Sequence, residues 1–118
     1  MIMAEYRIFH NPRCSKSRQA LEILESNNKD YEIFLYLQET LDKKSIKNLL
    51  DILGLNPKDI LRAGEADYKE NKLSQYGAED EALIDFMIKY PKIIERPIVI
   101  RGNKGVIGRP PENVLSLF

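Results

Sequence analysis

Cys14 and His10 are the one cysteine and the one histidine of the chain, four positions apart in FHNPRCSKSRQALEIL, residues 9–24. The stretch runs from an apparent strand end, past a proline, into an amphipathic run. A thiol in a strand-to-helix turn faces the N–H groups of the first helical turn, which have no partner inside the helix. Such groups favour anions, either a bound oxyanion or the thiolate itself. With cations nearby, a helix N-terminus lowers a thiol pKa from roughly 8.5 to about 3.5–7.5. Arg13, Lys16, Arg18 and His10 are the candidates for that cation field, and Ser15 and Ser17 add hydroxyl donors. The turn reads as an anion cradle with a nucleophile inside it. The competing reading is a buried, inert cysteine, the usual fate of this residue type. Flanking charges suit a core badly and favour the reactive reading.

His10 admits two roles. It can satisfy backbone groups at the strand end, or it can orient and help deprotonate the thiol. Three arginines stand out further along. Arg62 follows an apolar pair in ILR, Arg96 precedes a proline at a strand start, and Arg109 precedes PP at a strand end. They are either solvated charges at element ends or oxyanion ligands gathered by the fold. The planar fork of arginine, with two parallel donors, suits the second role.

The elements that must position these residues follow from periodicity and punctuation. YRIFH (6–10) predicts a strand closed by NP. From Ser15, Ala20, Leu21, Ile23 and Leu24 recur at helical spacing, and SNNKD (26–30) stops the helix. YEIFLYL (31–37) predicts a second strand, buried on both faces because Glu32 is its only charge. TLDKKSIKNLLDILG predicts a helix capped by Thr40 or Asp42, with Ile46, Leu49, Leu50 and Leu53 as its stripe and Gly54 at its end. NPKDILRAG (56–64) predicts a short helix with Asn56 as cap, Pro57 in its first turn and Gly64 closing it. Residues 65–78 read as loop with some helical character. EDEALIDFMIKY (79–90) predicts an amphipathic helix with charges placed as the dipole prefers. RPIVIRG (96–102) and KGVIGR (104–109) predict strands joined by a tight hairpin at Gly102-Asn103. PPENVLSLF (110–118) predicts a final helix. The order is β-α-β, helices, then β-β-α: an α/β, thioredoxin-like mixed four-stranded sheet with a helical insertion, in a single domain spanning 1–118.

Bulk properties narrow the function classes. The chain has 118 residues, is 43% hydrophobic and 31% charged, and balances Lys+Arg 18 against Asp+Glu 18. No global charge recruits nucleic acid or an anionic membrane. One cysteine makes no internal disulfide, and with one histidine it makes no zinc site. With no signal-peptide pattern at the start and no long apolar run, the expected setting is a reducing cytoplasm.

HNPRCSKSR, LYL at the end of the second strand, ERPIVI and IGRPPENVL together resemble the glutaredoxin-coupled arsenate reductase family. The likeness runs from about Tyr6 to Leu117, with the motifs in order. By that resemblance Cys14 is the nucleophile and His10 helps lower its pKa. Arg62, Arg96 and Arg109 bind the oxyanion, Asn11 and Ser17 position the loop, and Pro97 follows a cis peptide bond. The implied reaction is reduction of arsenate to arsenite through a covalent Cys14 adduct, with glutathione as co-substrate, glutaredoxin as partner and no bound cofactor. A single cysteine needs an external thiol to resolve such an adduct. Two departures are visible: Lys16 replaces a small residue beside the cradle, and the chain ends at Phe118 without the extra C-terminal segment of longer members. Both resemble a shorter subfamily.

The same fold also serves Spx-like regulators, which bind RNA polymerase and sense redox state through a Cys-x-x-Cys switch. Here Ser17 holds the second position of that switch, so an intramolecular disulfide is excluded. A lone thiol can still be glutathionylated. A thiol-transfer protein without arsenate activity is the remaining alternative.

Overall fold

The structure, a computed structural model, describes residues 4–39 and 41–118. Thr40, one of the two predicted caps, lies outside the described residues. The chain falls into two compact units. Among the described residues, one comprises 4–39 and 96–118, the other 41–95.

The first unit is built on a sheet of β1 (Tyr6–Phe9), β2 (Tyr31–Phe34), β3 (Ile98–Arg101) and β4 (Lys104–Ile107), ordered β2-β1-β3-β4. β1 and β2 are parallel, joined by helix α1 (Ser15–Ser26), whereas β1–β3 and β3–β4 are antiparallel. This is the predicted thioredoxin-like mixed sheet. Alternation along β1 sends Tyr6 and Ile8 to one face and Arg7 and Phe9 to the other. Tyr6, Ile8 and Val99 meet Ala20 and Leu24 of α1, together with Val114 and Leu117, in one buried cluster. Each aliphatic side chain buried there contributes about 1.5–3 kcal/mol.

Three expectations in this unit need correction. β2 is four residues long, not seven, and it is an edge strand whose Ile33 is 44% exposed. After Phe34 the chain turns away: the Leu35 N–H donates to the Glu39 carboxylate and the Gln38 N–H to the Leu35 carbonyl. The C-terminal element is a 3₁₀ helix, Pro111–Leu117, not an α-helix. Its prolines supply no N–H, and the Asn113 side-chain amide caps the Ile107 and Arg109 carbonyls instead. His10 lies one residue beyond the end of β1, with its backbone N–H donating to the Phe34 carbonyl.

The hairpin turns at Gly102, with φ 60°, as predicted. The Arg96–Pro97 bond is cis, as the resemblance implied; Arg109–Pro110 is cis as well. Gly108 lies against that region. A Cβ built on it would stand 2.8 Å from the Pro97 ring, and its N–H donates to the Pro97 carbonyl at 2.8 Å. Gly108→Ala is therefore expected to cost about 1–3 kcal/mol, as over-packing does. A urea titration with wild-type midpoint would contradict this contact.

The second unit is helical. α2 (Lys43–Leu53) is capped by Asp42, whose carboxylate accepts from the Ser45 N–H at 2.7 Å, and ends at Gly54 with φ 66°. α3 (Ala66–Glu70) and a 3₁₀ turn at Leu73–Gln75 supply the helical character of residues 65–78. α4 (Ala82–Lys89) packs its Leu83, Ile84 and Met87 side with the Ile46, Leu49 and Leu50 stripe of α2. The predicted helix over 56–64 is a single 3₁₀ turn, Pro57–Ile60, ended before Gly64 because Leu61 pairs with Ile94 in an antiparallel bridge. Asn56 is its cap, as expected, and the Asp59 carboxylate returns to the Asn56 N–H at 2.9 Å.

Candidate active site

Cys14 is the N-cap residue of α1, half-buried, at the junction predicted from the sequence. Its side chain makes no capping hydrogen bond, and the first helical turn carries no acidic residue. The donors a cap normally satisfies are those at the second and third helical positions. Here these belong to Lys16 and Ser17. Burial pushes the thiol pKa up, but the Ser17 N–H, the Arg96 guanidinium and the Lys16 N–H favour the charged sulfur. The net result lies below the ordinary thiol value. Those N–H groups thus favour the anionic sulfur although it makes no capping hydrogen bond.

The side-chain cation that favours the charged sulfur most is Arg96, distant in sequence from the local charges of Arg13, Lys16, Arg18 and His10. The antiparallel register explains this. β3 pairs with β1 as far as Phe9–Ile98, and Arg96 stands two residues before Ile98, at the same end of the sheet as the cysteine loop. Arg18 turns elsewhere: its Nη1 donates to the Pro12 carbonyl at 2.9 Å.

The loop is tied internally. Asn11 is buried; its carbonyl accepts from the Cys14 N–H and its Oδ1 from the Arg13 N–H, both at 3.0 Å. The Asn11 N–H donates to Ser17 Oγ at 3.0 Å, and the fully buried Ser17 hydroxyl shares a 2.6 Å hydrogen bond with His10 Nδ1. His10 is buried too. That burial, with the positive charge of Arg18, lowers its pKa and favours the neutral imidazole. A neutral ring can accept the Ser17 proton at Nδ1, leaving the serine oxygen to receive the Asn11 N–H. His10 therefore meets the thiol's helix turn through Ser17 rather than as a cation.

The structure brings Cys14, His10, Asn11, Ser17 and Arg96 together in the first unit. Arg109 is there too, exposed, with Nη1 donating to the Arg96 carbonyl at 3.3 Å. Arg62 belongs to the second unit. Its N–H donates to the Ile93 carbonyl at 2.7 Å and its Nε lies 3.8 Å from Glu65. Its Nη1 is buried with no hydrogen-bond partner among the described residues. Sequence reasoning placed Arg18 near the thiol as a charge but gave no sign of its hold on Pro12. Among the described residues no group of three or more His, Cys, Asp or Glu side chains could hold a metal, and no helix is long and apolar enough to cross a membrane.

Comparison with known proteins gives a consistent result. The ArsC family model matches residues 9–117. YfgD of Escherichia coli (strain K12), an uncharacterised protein, is 45% identical over 114 residues, 96% of each chain. An arsenate reductase of Neisseria meningitidis is 39% identical, covering 98% of this chain and all of that one. The solved structure of an arsenate reductase from Vibrio cholerae superposes with a TM-score of 0.92 at 38% identity, over 99% of this chain and 100% of that one. With a family match over nearly its whole length, the chain belongs to the ArsC family and has its thioredoxin-like fold.

Proposed function

We propose that this protein is an oxidoreductase that reduces arsenate to arsenite, with Cys14 as nucleophile and glutathione and glutaredoxin as the external thiols. The observation that carries the reading is the thiol held below its ordinary pKa by the Ser17 and Lys16 N–H groups and Arg96. Relatives called arsenate reductases at 37–39% identity support the choice of oxyanion.

In the proposed first step the Cys14 thiolate attacks arsenic(V), an S–As bond forms, and one arsenate oxygen leaves as water after taking two protons. Arg96 and Arg109 neutralise the oxyanion as its charge shifts, the use to which bidentate guanidinium donors are suited. The part of Arg62 rests on the resemblance. Asn11 and Ser17 hold the loop, and His10 holds Ser17. A glutathione thiolate then attacks the Cys14 sulfur. An S–S bond forms, the S–As bond breaks with its electron pair on arsenic, and arsenite leaves as arsenic(III). Glutaredoxin resolves the mixed disulfide and returns the Cys14 thiolate. With a single cysteine in the chain, the resolving thiol is external. A reducing compartment such as the cytoplasm supplies those thiols.

The test is arsenate-dependent oxidation of NADPH, coupled through glutathione reductase in the glutathione arm and through thioredoxin reductase in the thioredoxin arm. Turnover is expected with glutathione and glutaredoxin together, and little when thioredoxin is the sole reductant. A reaction as fast with thioredoxin alone would refute the glutaredoxin coupling. The absence of turnover with either reductant would refute arsenate as substrate.

A further inference from the structure

We infer that Arg18 is a positioning residue of the nucleophile loop, clamping the Pro12–Arg13 peptide plane that leads into Cys14. The inference rests on reading Cys14 as the nucleophile. Pro12 has no N–H, so its carbonyl is the one backbone polar group it offers. That carbonyl accepts from Arg18 Nη1 at 2.9 Å. The opposite end of the same peptide plane is the Arg13 N–H, which donates to Asn11 Oδ1 at 3.0 Å. Both ends of one plane are therefore held, from α1 on one side and from the start of the loop on the other.

Rotation of that plane would exchange the carbonyl and N–H directions immediately before Arg13. It would break both bonds and change the ψ of Pro12 and the φ of Arg13, the residue ahead of the thiol. Cys14 is tied on its far side by its own N–H to Asn11 and by its carbonyl to the Arg18 N–H, each at 3.0 Å. Arg18 thus holds the loop twice, by backbone and by side chain. A fixed loop keeps the sulfur over the Lys16 and Ser17 N–H groups. Preorganised donors of this kind are effective because they need no rearrangement when charge develops.

A second contribution comes from the same guanidinium. Its charge opposes protonation of the buried His10, and a neutral His10 can accept the Ser17 hydroxyl proton while Ser17 Oγ receives the Asn11 N–H. Arg18 thus touches the Pro12 and Cys14 carbonyls directly and acts by its charge on His10. Lysine would keep the charge and one donor but lose the planar fork.

The experiment compares the wild type with Arg18→Gln, Arg18→Met and Arg18→Lys. Alkylation of Cys14 by iodoacetamide is followed against pH without arsenate. The one histidine is titrated by NMR in the same samples. In Arg18→Gln the apparent thiol pKa is expected to move up towards its ordinary value, slowing alkylation at neutral pH about threefold to tenfold, the range of one exposed hydrogen bond. The His10 titration should also move up, and Arg18→Lys should restore most of both. Arg18→Met keeps the alkyl stem, and it gives the same readout if Arg18→Gln melts early. An alkylation profile in either folded variant that superimposes on the wild type would overturn the inference. Because no arsenate is used, failure of the wild type to turn over arsenate sinks the substrate reading and leaves this comparison intact.

Discussion

Cys14→Ser is expected to abolish arsenate reduction, leaving at most about one thousandth of wild-type turnover, as loss of a covalent nucleophile does. A serine hydroxyl in the same place meets the same N–H groups and Arg96, but it does not ionise near neutrality. The coupled NADPH assay reads this directly, and wild-type turnover in the variant would exclude the covalent mechanism. The substitution also has a signature in stability. The folded thiol has a pKa below its unfolded value. Ionisation therefore adds stability that is full above the unfolded pKa and is lost as pH falls through the folded one. Wild type should gain on Cys14→Ser as pH rises across that window, and the two should converge below it. Parallel melting curves at every pH would mean that the sulfur is not held as a thiolate.

Arg96→Ala carries the second large effect. Its guanidinium both favours the thiolate and, in the proposed mechanism, binds the oxyanion, so its loss should raise the thiol pKa and the arsenate KM together. The expected fall in kcat/KM is about 10- to 150-fold, the range of a hydrogen bond to a charged group. Arg96→Lys separates the two roles. It retains a positive charge for the sulfur but not the paired donors, so KM should rise while alkylation stays near wild type. An unchanged KM in Arg96→Lys would remove Arg96 from the oxyanion site.

The helix start at Ser15, the Asp42 cap, the Gly54 stop and the Gly102 turn were all legible, because each depends on neighbours within four residues. Cys14 was legible for the same reason. What local pattern concealed was pairing across the sheet. Arg13, Lys16 and Arg18 crowd the thiol in sequence, yet Arg96, eighty-two residues on and just ahead of β3, also acts on it. His10 shows a similar limit. Its distance from Cys14 along the chain suggested direct action, whereas burial and the Ser17 bond make it a neutral support. The run IFLYL imitates a central strand, but Leu35 to Glu39 form a turn whose hydrogen bonds are made after the strand has ended. The 3₁₀ segments at Pro57–Ile60 and Pro111–Leu117 carry helical periodicity, and nothing in periodicity alone distinguishes them from α-helix over so few residues.

β2 has a wider meaning for how the molecule behaves among copies of itself. The outer rim of an edge strand offers unpaired main-chain donors and acceptors to any neighbouring extended chain. Here the rim is short, and Glu32 stands in it beside Arg7, with Nε and Oε1 3.1 Å apart. Glu32, the one charge of this four-residue edge and paired across the sheet with Arg7 of β1, disfavours intermolecular strand addition, whereas the exposed Ile33 favours it. The sheet's other edge, β4, begins with an exposed charge, Lys104, so each rim open to a neighbouring chain carries one ionic side chain.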